Sequence, residues 1–362
     1  MVHYALVGRG VLVGDGGQEP MMSQRRPIKN AVVWLGLLAA VALFGLAACS
    51  SRPATALSIA ESPSMNLGDE MNNLAASLLP QTENYTDPAG PLFTGEAVLE
   101  PQPAPDEIVV VSYNLRYGEA ITETIQAFQE TLPLPEVDIV MLQEMDEAGV
   151  ATIAEALGFN YVYYPASVAD DGDNFGNAIL ARWPISEPAK LILPGLHPLT
   201  GQQRTATRAV VHLGGTDVGT DVGTDVGTAV GTDVGTAVGT AVLVYSTHIE
   251  VATTPISLRQ AQFAAVTDDI PDDATHVIVG GDFNTVTGRG VKALVAQFGA
   301  NDLDHATDGL GPTFTRFGLR PSATDHLFTR GFRTLDAGVL GDITASDHFP
   351  VWARLGAQLA RP

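Results

Sequence analysis

Seven short segments of this chain carry an Asn, Glu, Asp or His at or just beyond the end of an apolar, β-branched run. In order they are SYNLRYG (112–118), MLQEMD (141–146), GNAILARWPI (176–185), VYSTHIE (244–250), VIVGGDFNT (277–285), SATDHLF (322–328) and SDHF (346–349). Carboxylate and amide oxygens suit a hard divalent cation, and imidazole moves protons near neutral pH. Each segment alone has a plain structural explanation, because Asn and Asp after a strand form turns. A lone His in a strand-rich core is more often packing. Seven in one order argue for a single metal-dependent site that hydrolyses a phosphate ester.

The elements that must carry these residues alternate. Strands are expected at 107–115, 137–144, 161–164, 178–181, 207–213, 241–247, 275–279, 326–329 and 349–354. Helices are expected at 122–132, 147–157, 258–268 and 291–298. Strands alternating with helices, together with adjacent strand pairs, point to an α/β fold with mixed sheets. Between two strands lie seven consecutive copies of Gly-Thr-(Asp/Ala)-Val over residues 215–242. A period of four is neither a solenoid period nor that of the calcium-binding nonapeptides. The segment reads as a repeat-expanded hairpin loop far from the chemistry.

The ordered motifs resemble the endonuclease/exonuclease/phosphatase superfamily over roughly residues 107–355. That superfamily includes pancreatic-type deoxyribonucleases, apurinic endonucleases, neutral sphingomyelinases and inositol polyphosphate 5-phosphatases. The resemblance implies a four-layer sandwich of two mixed β-sheets packed face to face, with helices on the outer faces. It implies Mg2+, with Mn2+ as a substitute, held by Glu144 with Asn114 and Asp347. It also implies catalysis by His248, Asp282, Asn284, Asp325 and His348. In this reading Asp282 activates water, while Asn284, His248 and Asn177 handle the substrate phosphate. Asp325 pairs with His348, and His326 is packing. Arg204 and Arg208 are equally available to a phosphate.

The N-terminus reads as an address. Arg25, Arg26 and Lys29 precede an apolar run from Ala31 to Ala48, which ends in Leu-Ala-Ala-Cys at Cys49, the only cysteine. A basic flank, an apolar core and a small-residue exit describe a secretory signal over residues 21–49. Its ending resembles a bacterial lipobox, in which Cys49 would be lipidated. A membrane anchor, or a cleaved signal with an incidental cysteine, are the alternatives. Residues 1–20 sit awkwardly before this signal, and a start at Met21 or Met22 would give a more usual length. Residues 50–105, rich in Pro, Ser, Ala and Thr, read as a disordered tether to a catalytic domain at 106–358. The expected protein is an exported, monomeric, lipid-anchored phosphodiesterase on the outer face of the cell membrane or envelope.

The net charge of −22 disfavours non-specific binding of long polyanions. It leaves a nucleic acid or a phospholipid head group open as the substrate. A sphingomyelinase-type activity is the alternative enzyme, and a non-catalytic surface-binding relative is the alternative of another class. The latter should have lost some of Glu144, His248, Asp282 or His348, and all four are present.

Overall fold

In the computed structural model the described residues are 82–97, 104–169, 172–214, 240–316 and 319–357. The signal with Cys49 and most of the expected tether and repeat lie outside them. Among the described residues no helix is long and apolar enough to cross a membrane.

Among the described residues the strands and α-helices run in the order β1 (Phe93–Gly95), β2 (Glu107–Asn114), α1 (Ile121–Glu130), β3 (Ile139–Met145), α2 (Glu147–Leu157), β4 (Asn160–Val168), β5 (Asn174–Ala181), β6 (Ile185–Leu196), β7 (Gln203–Leu213), β8 (Thr240–His248), α3 (Ile256–Asp268), β9 (Val277–Asp282), α4 (Gly288–Gly299), β10 (Asp304–His305), β11 (Phe314–Arg316), β12 (Leu319–Ser322), β13 (Asp325–Arg330), β14 (Phe332–Val339) and β15 (Val351–Ala357). They form a seven-stranded sheet, β1-β4-β5-β3-β2-β15-β14, and a six-stranded sheet, β10-β13-β9-β8-β7-β6, with β11 and β12 pairing apart. The pairs β2–β3 and β8–β9 are parallel and the other neighbours antiparallel.

The continuous apolar runs arise because these strands are buried on both faces. In β2, Val110 joins a core with Met141, Val244, Ile278 and Leu327 between the sheets, whereas Val111 joins Phe128, Val140 and Ile153. On the other side, Val279 and Phe328 pack with Phe263 and Val266 of α3 and with Leu294 and Phe298 of α4. The result is helix, sheet, sheet, helix, as the resemblance implied. Each fully buried Val, Leu or Phe contributes about 1.5–3 kcal/mol. Local chemistry sets the helix ends: the Asp146 side chain accepts from the Gly149 N–H at 2.7 Å, and Gly158 ends α2 in the left-handed region.

Four findings correct the expected outline. The extended β6 was hidden by Pro188 and Pro194, which an edge strand tolerates at its register shifts. The edge strand β14 was hidden by its polar, partly exposed side chains. The expected tether ends earlier than residue 105, because β1 pairs with Tyr161–Tyr163 of β4. Of the expected repeat loop, Thr240–Val242 belongs to β8, with Thr240 paired to Leu213. Residues 215–239, outside the described ones, therefore connect two paired strands, and the closure entropy of such a connection grows by only about 0.6 kcal/mol per doubling of length. Replacing them with a short Gly-rich turn should leave turnover and melting temperature nearly unchanged. A large fall in either would show that the repeat takes part in folding or activity.

Candidate active site

Strand register brings three of the motifs into one row. His248 ends β8 opposite Asp282, which ends the parallel β9, and Asp282 faces Asp325 at the start of the antiparallel β13. From the other sheet, Asn114 ends β2, while Glu144 lies in a bulge between Leu142 and Met145 of β3 at φ 59°. A non-glycine residue in that conformation is strained and turns its side chain out of the regular alternation. His348 precedes β15 and is bridged to Phe314. Beneath this layer Gln143 donates to Ser246 at 3.0 Å and Ser246 donates to the Leu142 carbonyl at 2.9 Å, joining the sheets. Gly280 permits the approach, since a β-carbon there would stand 2.6 Å from the Met141 sulfur. Gly280 of GGDFN therefore serves sheet packing.

The resulting cluster is tight. Asn114 Nδ2 donates to Glu144 at 3.0 Å and to Asp282 at 3.2 Å. Asp282 Oδ2 lies 3.6 Å from His248 Nε2 and 3.7 Å from His348 Nε2, and Glu144 lies 3.7 Å from His248. On its far side His348 Nδ1 meets Asp325 Oδ2 at 2.8 Å, and Thr313 and Thr324 also donate to that oxygen. The Asn284 N–H donates to Asp282 Oδ1 at 2.8 Å.

A family model described as "Endonuclease/Exonuclease/phosphatase family" matches residues 111–348, a span that runs from β2 to His348. The chain belongs to the endonuclease/exonuclease/phosphatase family.

Solved structures agree on the fold of this family. An endonuclease/exonuclease/phosphatase from Beutenbergia cavernae is 17% identical with a TM-score of 0.53, covering 71% of this chain and 73% of its own. A mannosyl-6-phosphatase from Bacteroides thetaiotaomicron is 22% identical with a TM-score of 0.50, covering 68% and 99%. D. rerio TDP2 complexed with a single-strand DNA product is 17% identical with a TM-score of 0.50, covering 70% and 100%. No curated protein matches the chain.

Within this family member several residues stand differently from expectation. Arg204 faces the site, whereas Arg208 pairs with Asp269 at 3.2 Å. Asn177 joins β5 to β7: its amide donates to the Thr205 carbonyl at 2.7 Å, leaving only the buried, unpartnered Oδ1. The Asn284 amide donates to the Ile249 carbonyl at 2.9 Å and lies 3.3 Å from Asp282, so it braces the loop as well as facing the site. Asp347 sits at the rim, 3.9 Å from Arg116, and its charge reaches Glu144. His326 does more than pack: its Nε2 meets Thr285 Oγ1 at 2.8 Å and its Nδ1 meets His305 at 3.1 Å.

Residues outside the expected catalytic and metal set complete the site. Arg204 Nε donates to the buried Glu250 at 3.0 Å, and its Nη1 donates to His248 Nδ1 at 3.1 Å. Arginine only donates, so Nδ1 must accept, and His248 is held as the neutral tautomer with its proton on Nε2. Burial and the Arg204 charge both push its pKa well below the ordinary value. His248 is therefore a hydrogen-bond donor toward the cluster. Arg259 and Gln262 of α3 brace the neighbouring loops, donating to the Asn284 carbonyl at 3.1 Å and accepting from the Glu250 N–H at 2.9 Å. Neither carries a sequence signal beyond its place in the expected helix at 258–268.

The opposite electrostatics apply at His348. Burial disfavours its charge, but Asp325 and then Asp282 outweigh that and push its pKa up to about 10. Burial raises Asp282 to about 7 against the pull of His348. Glu144 is likewise raised by burial, against its hydrogen bond from Asn114. Because His348 is raised, the stability it contributes is complete below its unfolded value of 6.5 and lost as pH rises through about 10. In chelator, the gap in melting temperature between wild type and His348→Gln should be widest near pH 6 and narrow toward about pH 11. A gap that widened with pH would contradict the pairing with Asp325.

Proposed function

We propose that this chain is a divalent-metal-dependent phosphodiesterase that uses Mg2+ or Mn2+ and a directly attacking water. The observation that carries the reading is Asp282, a carboxylate poised near neutrality with a histidine Nε2 within 3.7 Å on either side. It can take a proton from water as the water oxygen attacks phosphorus, while the opposite P–O ester bond breaks and the leaving oxygen departs with the bonding pair and is protonated from solvent. His248 and the charged His348 then donate to the phosphoryl oxygens as negative charge develops. Asp325 holds His348 in its charged form.

A divalent cation suits the donor set. Glu144 is a raised, largely buried carboxylate with Asp282 beside it and the Asp347 charge in reach. Asp282, Asp325 and His348 also lie close enough together to chelate an ion. However, a charged His348 has no lone pair to offer an ion, and Asn114 turns its Nδ2–H rather than its oxygen toward the cluster, so Glu144 with Asp347, oriented by Asn114, is the better cradle. Bound there, the ion would supply Lewis-acid stabilisation of the phosphoryl charge.

Two relatives bracket the substrate, one complexed with a single-strand DNA product and one described as a mannosyl-6-phosphatase. A phospholipid head group is the second reading, favoured by half-exposed apolar side chains on the loops at the catalytic strand ends. Tyr117 follows β2, Leu196 and Leu199 precede Arg204, Ile256 opens α3, and Val286 follows Asn284. With the full chain and excess Mg2+, a bis-aryl phosphodiester should be hydrolysed, and chelator should stop it. Plasmid and single-stranded DNA, RNA, sphingomyelin, phosphoinositide and mannose 6-phosphate assign the substrate. Full turnover in chelator, or hydrolysis of monoesters alone, would overturn the reading.

Export through Cys49 belongs to the same proposal, since the lipobox-like ending marks it for lipidation. The mature protein should partition with membranes, and Cys49→Ser should release or mislocalise it. An unmodified mature N-terminus elsewhere, read by mass spectrometry, would reject the anchor.

A further inference from the structure

Residues 82–97 precede every catalytic motif, yet they run along the wall of the site. Their backbone pairs with β4: the Val168 N–H donates to the Glu83 carbonyl at 2.8 Å, the Tyr85 N–H donates to the Ala166 carbonyl at 2.9 Å, and β1 continues the pairing. On the other side they grip the turn between β6 and β7. Thr82 donates to the Thr200 carbonyl, Asn84 Nδ2 donates to the Gly201 carbonyl, and Asn84 Oδ1 accepts from the Gln203 N–H, each at 2.8 Å. β4 belongs to one sheet and β6 and β7 to the other, so this arm joins the two sheets at the end that holds the catalytic cluster.

Lys190 fastens the arm. It is 4% exposed, and its Nζ donates to the Tyr85 carbonyl at 3.0 Å and the Gly90 carbonyl at 2.6 Å. The Tyr85 and Tyr164 rings each stand 5.9 Å from that nitrogen. A buried ammonium satisfied by two carbonyls of one segment holds that segment closely, because releasing it would leave a desolvated charge.

Two branches lead from the arm to the same catalytic side chain. Asn84 holds Gln203, and the next residue is Arg204, which donates to His248. Tyr85 Oη donates to Asn174 at 2.8 Å, and the next residue is Phe175. The Phe175 ring lies 5.8 Å from the His248 ring and 5.5 Å from the Arg204 guanidinium. We propose that residues 82–97 are a positioning strap for the phosphate site, locked by Lys190, which fixes Arg204 and Phe175 so that they set the orientation of His248. The strap rests on the proposed phosphodiesterase reading for its catalytic consequence.

The test uses the full chain. Asn84→Ala and Tyr85→Phe together remove one anchor on each branch and leave the strand pairing intact. Turnover of the bis-aryl diester in Mg2+ should fall about fivefold or more, as small misplacements of catalytic groups cost rate steeply. KM should stay within about twofold, because binding of substrate and transition state is not weakened alike. The His248 ring-nitrogen NMR signals should shift toward those of Arg204→Met, while those of His348 stay in place. Lys190→Met should reproduce the loss and Lys190→Arg should partly restore it; if Lys190→Met does not fold, the double variant still decides. A folded double variant with wild-type turnover and an unmoved His248 signal would overturn the strap. A wild-type protein that hydrolyses nothing would instead reject the phosphodiesterase reading, and the His248 signal would still report on the strap.

Discussion

His348→Ala should lower kcat/KM on a model phosphodiester by about 10²–10⁴-fold, the range for a positioned proton-handling side chain. Asp325→Asn should come close to the same loss while preserving shape. His348 Nδ1 meets Asp325 Oδ2 at 2.8 Å, with two threonines donating to the same oxygen, so this carboxylate oxygen is fixed where it holds His348 charged. The double variant should then be little worse than either single one, because members of one catalytic unit are not additive. Asp282→Asn should be as damaging by an independent route, the loss of water activation. His248→Ala should also fall steeply, since it removes the Nε2–H donor and strands the Arg204–Glu250 pair behind it. Multiplicative losses for the Asp325/His348 pair, or near-wild-type turnover for His248→Ala, would reject these roles.

Glu144→Gln should remove most metal-stimulated turnover and, separately, most of the metal's effect on stability. A ligand that binds only the folded state stabilises by RT ln(1 + [L]/Kd), about 2.7 kcal/mol at a hundredfold excess over Kd. The gain should be largest at a pH where Glu144 and Asp282 would otherwise face each other ionised, since burial has raised both. Wild type should therefore melt higher with Mg2+ or Mn2+ at pH 8 than in chelator, and Glu144→Gln should show little difference. An equal shift in both proteins would place the cation elsewhere.

The sequence shows most of the catalytic layer because its residues end central strands, and central strands are long apolar runs that stop abruptly. Asn114, Glu144, His248 and Asp282 are such stops, and Asp325 and His348 are their counterparts on strands running the other way. Edge strands are not legible in this way: β6 carries two prolines and β14 alternates with exposed polar side chains. The supporting residues are hidden for another reason. Arg204, Arg259 and Gln262 matter through partners distant in sequence, and no local pattern distinguishes them from polar residues at a surface, while Glu250 ends the VYSTHIE segment but shows its role only through Arg204. The same applies to Lys190, whose burial depends on a segment a hundred residues away. Asn177 shows the converse, a motif residue whose amide is engaged in joining strands.

The row of His248, Asp282 and Asp325 makes turnover a measure of how correctly the six-stranded sheet has closed. Side chains alternate along a strand, so a slip of β9 by a single residue would present Gly281 or Phe283 where Asp282 belongs. Such a molecule could keep nearly all of its secondary structure and still lack the carboxylate between the two histidines. Refolded or destabilised preparations should therefore lose specific activity before they lose circular dichroism. The fraction of active molecules, titrated against a tight phosphate analogue, would count the correctly zipped sheets directly.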